Sequence, residues 1–187
     1  MKAGDIIAFS GRHWISDVVN VGTYGIPRWS ASHVGGLGHA RDGRLLLFES
    51  TSLNKEACEI TGKPIFGVQA HTLEKVVAAY QGRVWIYPLY RELYDDEDQR
   101  LTQFLMSTIG RPYDTAGAIR SGGLLLSTLE AMFRPEDLHS IYCSKEWAKA
   151  FAEIGMLPTD NAGRWSPNRL IRHLRRHEIL LRPQRLK

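Results

Sequence analysis

Residues 32–50 read SHVGGLGHARDGRLLLFES, and the fold turns on them. Ser30 to Ala40 is strand-like and Arg44 to Ser50 is a second, buried strand. Asp42-Gly43 between them is a strong hairpin signal. Gly35, Gly36 and Gly38 weaken the first strand unless something has to come close to its backbone. His33 stands just ahead of them, where an imidazole can point into a cleft while the backbone stays approachable. Glu49 ends the second strand and returns beside the His33 region. Counted outward from Asp42-Gly43, the two lie nine and six positions away, so they are not directly opposed unless a bulge shifts the register. A carboxylate there can orient an imidazole; taken alone it is equally well a strand-end charge in water.

Outward from this hairpin, Asp5 to Ser10 (DIIAFS) predicts a short buried strand. Trp14, Ile15, Val18 and Val19 predict a helix over 12–21, broken by Gly22, Gly25 and Pro27. Residues 51–64 read as a polar loop, Ile65 to Val68 as a strand, Leu73 to Tyr80 as a short helix capped by Thr72, and Arg83 to Leu89 as a strand. Asp95, Asp96, Glu97 and Asp98 suit the positive end of a helix dipole, with Leu101, Phe104, Leu105 and Ile109 as the apolar face and Gly110 and Pro112 as the stop. One or two helices are expected over 114–133, another over Ser144 to Ile154, and a last one over Pro167 to Leu174 with proline in its first turn. Strands early and helices late predict an α+β class with a mainly antiparallel sheet.

The 187 residues are 43% hydrophobic, which suits one globular domain spanning residues 1–187. Apolar runs such as Leu45 to Phe48 are too short to cross a bilayer. Met1 to Asp5 lacks the pattern of a signal peptide, so the expectation is a cytoplasmic protein, a phage-encoded or exported protein being the exception. Cys58 and Cys143 are the two cysteines, too few for a disulfide framework or a cysteine-rich zinc site. The net charge of +4 is uneven. Eight Arg or Lys and one acid fall between Arg164 and Lys187, leaving 16 basic and 19 acidic residues elsewhere. The basic tail, about 175–187, reads as a solvated helix face and a ragged end that admits weak contact with an anionic surface; nucleic acid is not an expected partner.

Cys143 lies in Ile141-Tyr142-Cys143-Ser144-Lys145-Glu146-Trp147, at the start of a helix. The free N–H groups and the dipole of a helix N-terminus favour thiolate, and the same N–H groups can hold an oxyanion during acyl transfer. A cysteine in this position is also, more simply, a small buried hydrophobe. An imidazole nearby serves as base and counter-ion, and His33 is the candidate. His39 is a weaker second choice near the turn. His173 and His177 sit four apart but among Arg172, Arg175 and Arg176, which favours a basic surface over a metal site. Cys58, between Glu56 and Glu59 in a polar loop, is a poor nucleophile.

The succession Gly4-Asp5-Ile6-Ile7, Ser32-His33-Val34-Gly35, Phe48-Glu49-Ser50, Gly110-Arg111-Pro112-Tyr113-Asp114, Tyr142-Cys143-Ser144-Lys145 and Ser166-Pro167-Asn168-Arg169-Leu170 resembles the permuted papain-like hydrolases. These are the YiiX/YaeF-like members of the NlpC-type superfamily, related to lecithin retinol acyltransferase. The resemblance spans about residues 4–174 and implies a circularly permuted papain-like fold, with a curved antiparallel sheet against helices and histidine ahead of cysteine. It implies Cys143 as nucleophile, His33 as base, Glu49 as the residue that orients it, and Tyr142 and Tyr113 as cleft residues. It favours amidase or peptidase activity on a small peptide, such as a peptidoglycan-type peptide, or another amide or acyl substrate, with no metal or organic cofactor. Lipid acyl transfer, thioester hydrolysis or a catalytically silent binding module are the alternatives. Lys145 departs from the acidic or neutral residue expected after Cys-Ser; it faces solvent or alters the field at the thiolate.

Overall fold

The computed structural model describes residues 1–11, 31–51, 56–113, 143–158, 162 and 165–187. The helices expected over 12–21 and 114–133, and Tyr142, lie outside the described residues. Among the described residues there are six strands and four helices: β1 Ile6–Gly11, β2 His33–His39, β3 Leu45–Thr51, β4 Gly67–His71, α1 Leu73–Ala79, β5 Gly82–Tyr87, α2 Asp95–Thr108, α3 Cys143–Glu153, α4 Pro167–Arg176 and β6 Gln184–Arg185. The strands form one antiparallel sheet in the order β4-β3-β2-β1-β5-β6. This is the α+β class expected.

Side chains alternate across a strand, and here both faces are covered. Ile6, Ala8, Val34, Leu46, Phe48 and Ala70 join Leu101 and Leu105 of α2, Trp147 and Phe151 of α3 and Leu170 and Leu174 of α4 in one core. Ile7, Phe9, Leu37, Leu47, Val84 and Ile86 pack on the other face with Leu73, Val76 and Val77 of α1. The central strands are therefore apolar on successive residues, as a strand buried on both sides must be.

Two glycines of β2 explain how the helices reach the sheet. A Cβ on Gly36 would lie 2.5 Å from the Trp147 indole, and one on Gly38 would strike Leu105. The close approach that the glycines signalled is thus made by α3 and α2. Trp147 is fully buried and its Nε1–H donates to the Phe48 carbonyl at 3.1 Å.

Three expectations change. The expected strand at Ile65 to Val68 lies later, at Gly67–His71. Gln69 and His71 are buried polar residues within it, and a polarity pattern reads such positions as loop. Cys58 is not in an open polar loop: it is fully buried and its sulfur accepts from the Ala70 N–H at 3.3 Å. The C-terminal tail is no ragged end, because β6 pairs with β5 and Lys187 Nζ donates to the carbonyls of Val77, Ala78 and Tyr80 at 3.1, 3.1 and 2.7 Å. Those carbonyls at the end of α1 have no partner further along the helix, and a lysine there satisfies them.

Candidate active site

The β2–β3 hairpin closes over three residues. The Ala40 N–H donates to the Arg44 carbonyl and the Gly43 N–H to the Ala40 carbonyl, both at 2.9 Å, and Gly43 takes the left-handed φ of 81° that such a loop needs. The hairpin is therefore centred on Asp42, and the ladder runs from His39↔Leu45 to Gly36↔Phe48. Continued by one step, this register sets Gly35 across from Glu49, so His33 and Glu49 are diagonal neighbours on one face. No bulge is required. Gly35 offers no side chain between them, and the Glu49 carboxylate leans across to accept from His33 Nε2 at 2.7 Å. Glu49 is buried, whereas the His33 side chain keeps 22% of its surface exposed, so solvent meets the pair at the imidazole.

The β2–β3 ladder ends at Gly36↔Phe48, one step short of Glu49. Cys143 is the first residue of α3. With Nε2 engaged by Glu49, Nδ1 is the nitrogen left for the hydrogen bond between His33 and Cys143. The Val34 and Ser144 N–H groups also donate to the sulfur. Burial works to raise the Cys143 thiol, but the His33 charge, the His33 hydrogen bond and these two N–H groups outweigh it and hold the thiol below its ordinary range. Burial opposes charge on His33; the Cys143 thiolate and then Glu49 overcome it and push the imidazole up to about 10. Both shifts favour a thiolate–imidazolium pair beside the Glu49 carboxylate.

Several supports carried no plain sequence signal. The Phe9 ring lies 5.4 Å from the imidazole and 5.0 Å from the Tyr80 ring, and the Tyr80 hydroxyl bonds to Ser32. Ser144 Oγ–H donates to the Trp165 carbonyl at 2.6 Å. Asn168, in the first turn of α4, accepts from the Ala31 N–H at 2.9 Å. The α4 start is thereby clipped both to the cysteine helix and to the backbone two residues before His33. Pro167 opens α4, as expected from its place in the first turn, and Ser166 caps it. Behind Glu49, its cross-strand neighbour Gln69 carries on the polar line, with Oε1 accepting from His71 Nε2 at 2.9 Å. Burial lowers His71 below its ordinary value against the pull of Glu49, which keeps it neutral.

Other expectations fare as follows. Tyr113 is partly buried and follows Pro112, which bridges Gly67 at the outer edge of β4; Tyr142 lies outside the described residues. His39 is no second base for this site. It sits at the far end of β2, six residues or about 20 Å along an extended strand from His33, and binds Asp98 at 2.8 Å. Lys145 does not face solvent: it is buried at 4% exposure. The His173 ring lies between those of Trp165 and His177, tilted to both, with ring centroids 4.8 and 4.4 Å away. Both cysteines are free thiols.

No protein-family profile and no curated protein matches this chain. Among solved structures it is similar to YiiX from Escherichia coli O157:H7, described as a metalloprotein of DUF1105, with a TM-score of 0.53 and 20% sequence identity. The match covers 82% of this chain and 66% of YiiX, so the chain spans just under two thirds of that protein's length. The likeness is one of fold. Among the described residues no group of three or more His, Cys, Asp or Glu is placed to hold a metal ion.

Proposed function

We propose that this chain is a cysteine hydrolase of amides on a circularly permuted papain-like fold, with Cys143 as nucleophile, His33 as acid and base, and Glu49 as the group that orients His33. The observation that carries this reading is the hydrogen-bonded line Cys143–His33–Glu49, joining side chains at positions 143, 33 and 49 with opposite pulls on the thiol and the imidazole. The YiiX-like fold and the histidine-first motif order support it.

The thiolate attacks the acyl carbon, and the carbonyl π electrons move to oxygen. N–H groups at the start of α3 face that oxygen. Collapse expels the leaving nitrogen, which takes its proton from the imidazolium. A water molecule, giving its proton to the now neutral His33, then cleaves the thioester and restores the thiolate. Small peptides, including peptidoglycan-type peptides, are the proposed substrates, and Tyr142 and Tyr113 are proposed to line their cleft.

Two measurements test the proposal. In the native protein at neutral pH, iodoacetamide should modify Cys143 and spare the fully buried Cys58, as read by peptide mass spectrometry. Cys143→Ser should abolish turnover in a panel of peptidyl amides, esters and thioesters. Preferential turnover of acyl-lipid esters or thioesters would instead make the chain an acyltransferase or thioesterase. Labelling of Cys143 no faster than an unstructured thiol would leave a silent binding module.

A further inference from the structure

Glu146 stands one turn after Cys143 in α3 and is fully buried. Neither Oε1 nor Oε2 has a hydrogen-bond partner, and they are the only buried side-chain polar atoms so placed among the described residues. Residues three apart on a helix are surface neighbours, about 5–6 Å apart at Cβ, and a helical side chain leans toward the turn before it. The Glu146 carboxyl is therefore directed toward the end of α3 that holds the thiolate. Its electrostatic neighbours are Cys143 on the same helix, Glu49 on β3 and His33 on β2. The helices α2 and α4 bury one further charged group, Glu97, which is already paired with Arg91 at 2.6 Å. The adjacent Lys145 is buried with a partner of its own.

Two anions and one cation surround a carboxyl shut off from solvent. Ionised, it would be an unpaired buried charge beside a thiolate, the costliest arrangement available to it. Burial first, then the charges of Cys143 and Glu49, accordingly push it well above the usual carboxylate range, against His33. It carries an O–H donor with nothing to donate to in the resting protein. A donor left unmade at rest and met by charge that appears during reaction contributes to the transition state alone.

We infer that the Glu146 side chain donates an O–H hydrogen bond to the acyl oxygen of a substrate attacked by Cys143, making it a further catalytic residue. This rests on the cysteine-hydrolase reading above. In the step concerned, sulfur bonds to the acyl carbon, the carbonyl electron pair moves to oxygen, and the leaving group departs with its bonding pair as the carbonyl reforms. Glu146 keeps its proton throughout and only shares it.

Two reagents separate this role from a general effect on the thiol. Iodoacetamide alkylates sulfur without placing charge on a carbonyl oxygen, whereas p-nitrophenyl acetate acylates it through an oxyanion. Glu146→Ala should slow the p-nitrophenol burst on the order of 100-fold while changing iodoacetamide alkylation of Cys143 less than about threefold. Glu146→Gln, which retains an N–H donor, should recover most of the loss. Equal slowing of both reagents, or an unchanged burst in Glu146→Ala, overturns the inference and leaves the nucleophile assignment standing. A wild-type protein in which Cys143 reacts with neither reagent overturns the cysteine-hydrolase reading itself.

Discussion

At the scale of single residues, the imidazole is the pivot. A thiol held below its ordinary range and an imidazole raised to about 10 define a window. On the acid side it closes where Cys143 gains a proton, and on the alkaline side near 10, where His33 loses one. Glu49 is one of the influences that raise His33. Glu49→Ala should therefore shift the alkaline limb of the pH–rate profile downward, toward the ordinary histidine value. Without the carboxylate to fix the ring, kcat/KM should also fall on the order of 100-fold. An unshifted limb would remove Glu49 from the site. A helix start and a strand followed by glycines made Cys143 and His33 candidates, but each position also suits a bland residue, and the order of motifs was what paired them. Glu146 was not legible, since a carboxyl in a helix reads as a solvent-facing charge until burial is seen. Lys145 misled for the same reason.

At the scale of elements, the seat of α3 on β2 decides the distance between sulfur and imidazole. Gly36 makes room for Trp147, one turn beyond Cys143. Gly36→Ala should push α3 off the sheet, lower stability by about 1–3 kcal/mol in denaturant titration, and slow alkylation of Cys143. Normal alkylation with lowered stability would show that the helix start is held by Ser144 and Trp165 instead. The elements themselves were largely readable. The acids of Asp95 to Asp98 mark the start of α2, Pro167 the start of α4, and Leu45 to Phe48 the interior of β3. The diagonal meeting of His33 with Glu49 was not readable, because it depends on whether the turn closes over Asp42-Gly43 or over three residues. A one-residue difference in that loop changes which faces agree. β4 was misplaced because its polar residues are buried in a line behind Glu49, and β6 went unread because its polar and charged composition hides a pairing made through the backbone.

At the scale of the whole molecule, the basic tail is part of the sheet. Removing residues 184–187 exposes the β5 edge and frees the carbonyls ending α1. The melting temperature should drop by roughly 2–8 °C, while iodoacetamide alkylation of Cys143 at neutral pH proceeds as before. A truncated chain with unchanged melting would mean that β6 adds nothing to the sheet.

The clip between Asn168 and the backbone before His33 has a consequence for synthesis. Histidine, carboxylate and thiol leave the ribosome in that order, and the asparagine that draws the early strand to the late helix follows only after all three. A nascent polypeptide halted between Cys143 and the start of α4 holds the sulfur but not yet the asparagine that ties the late helix to the early strand.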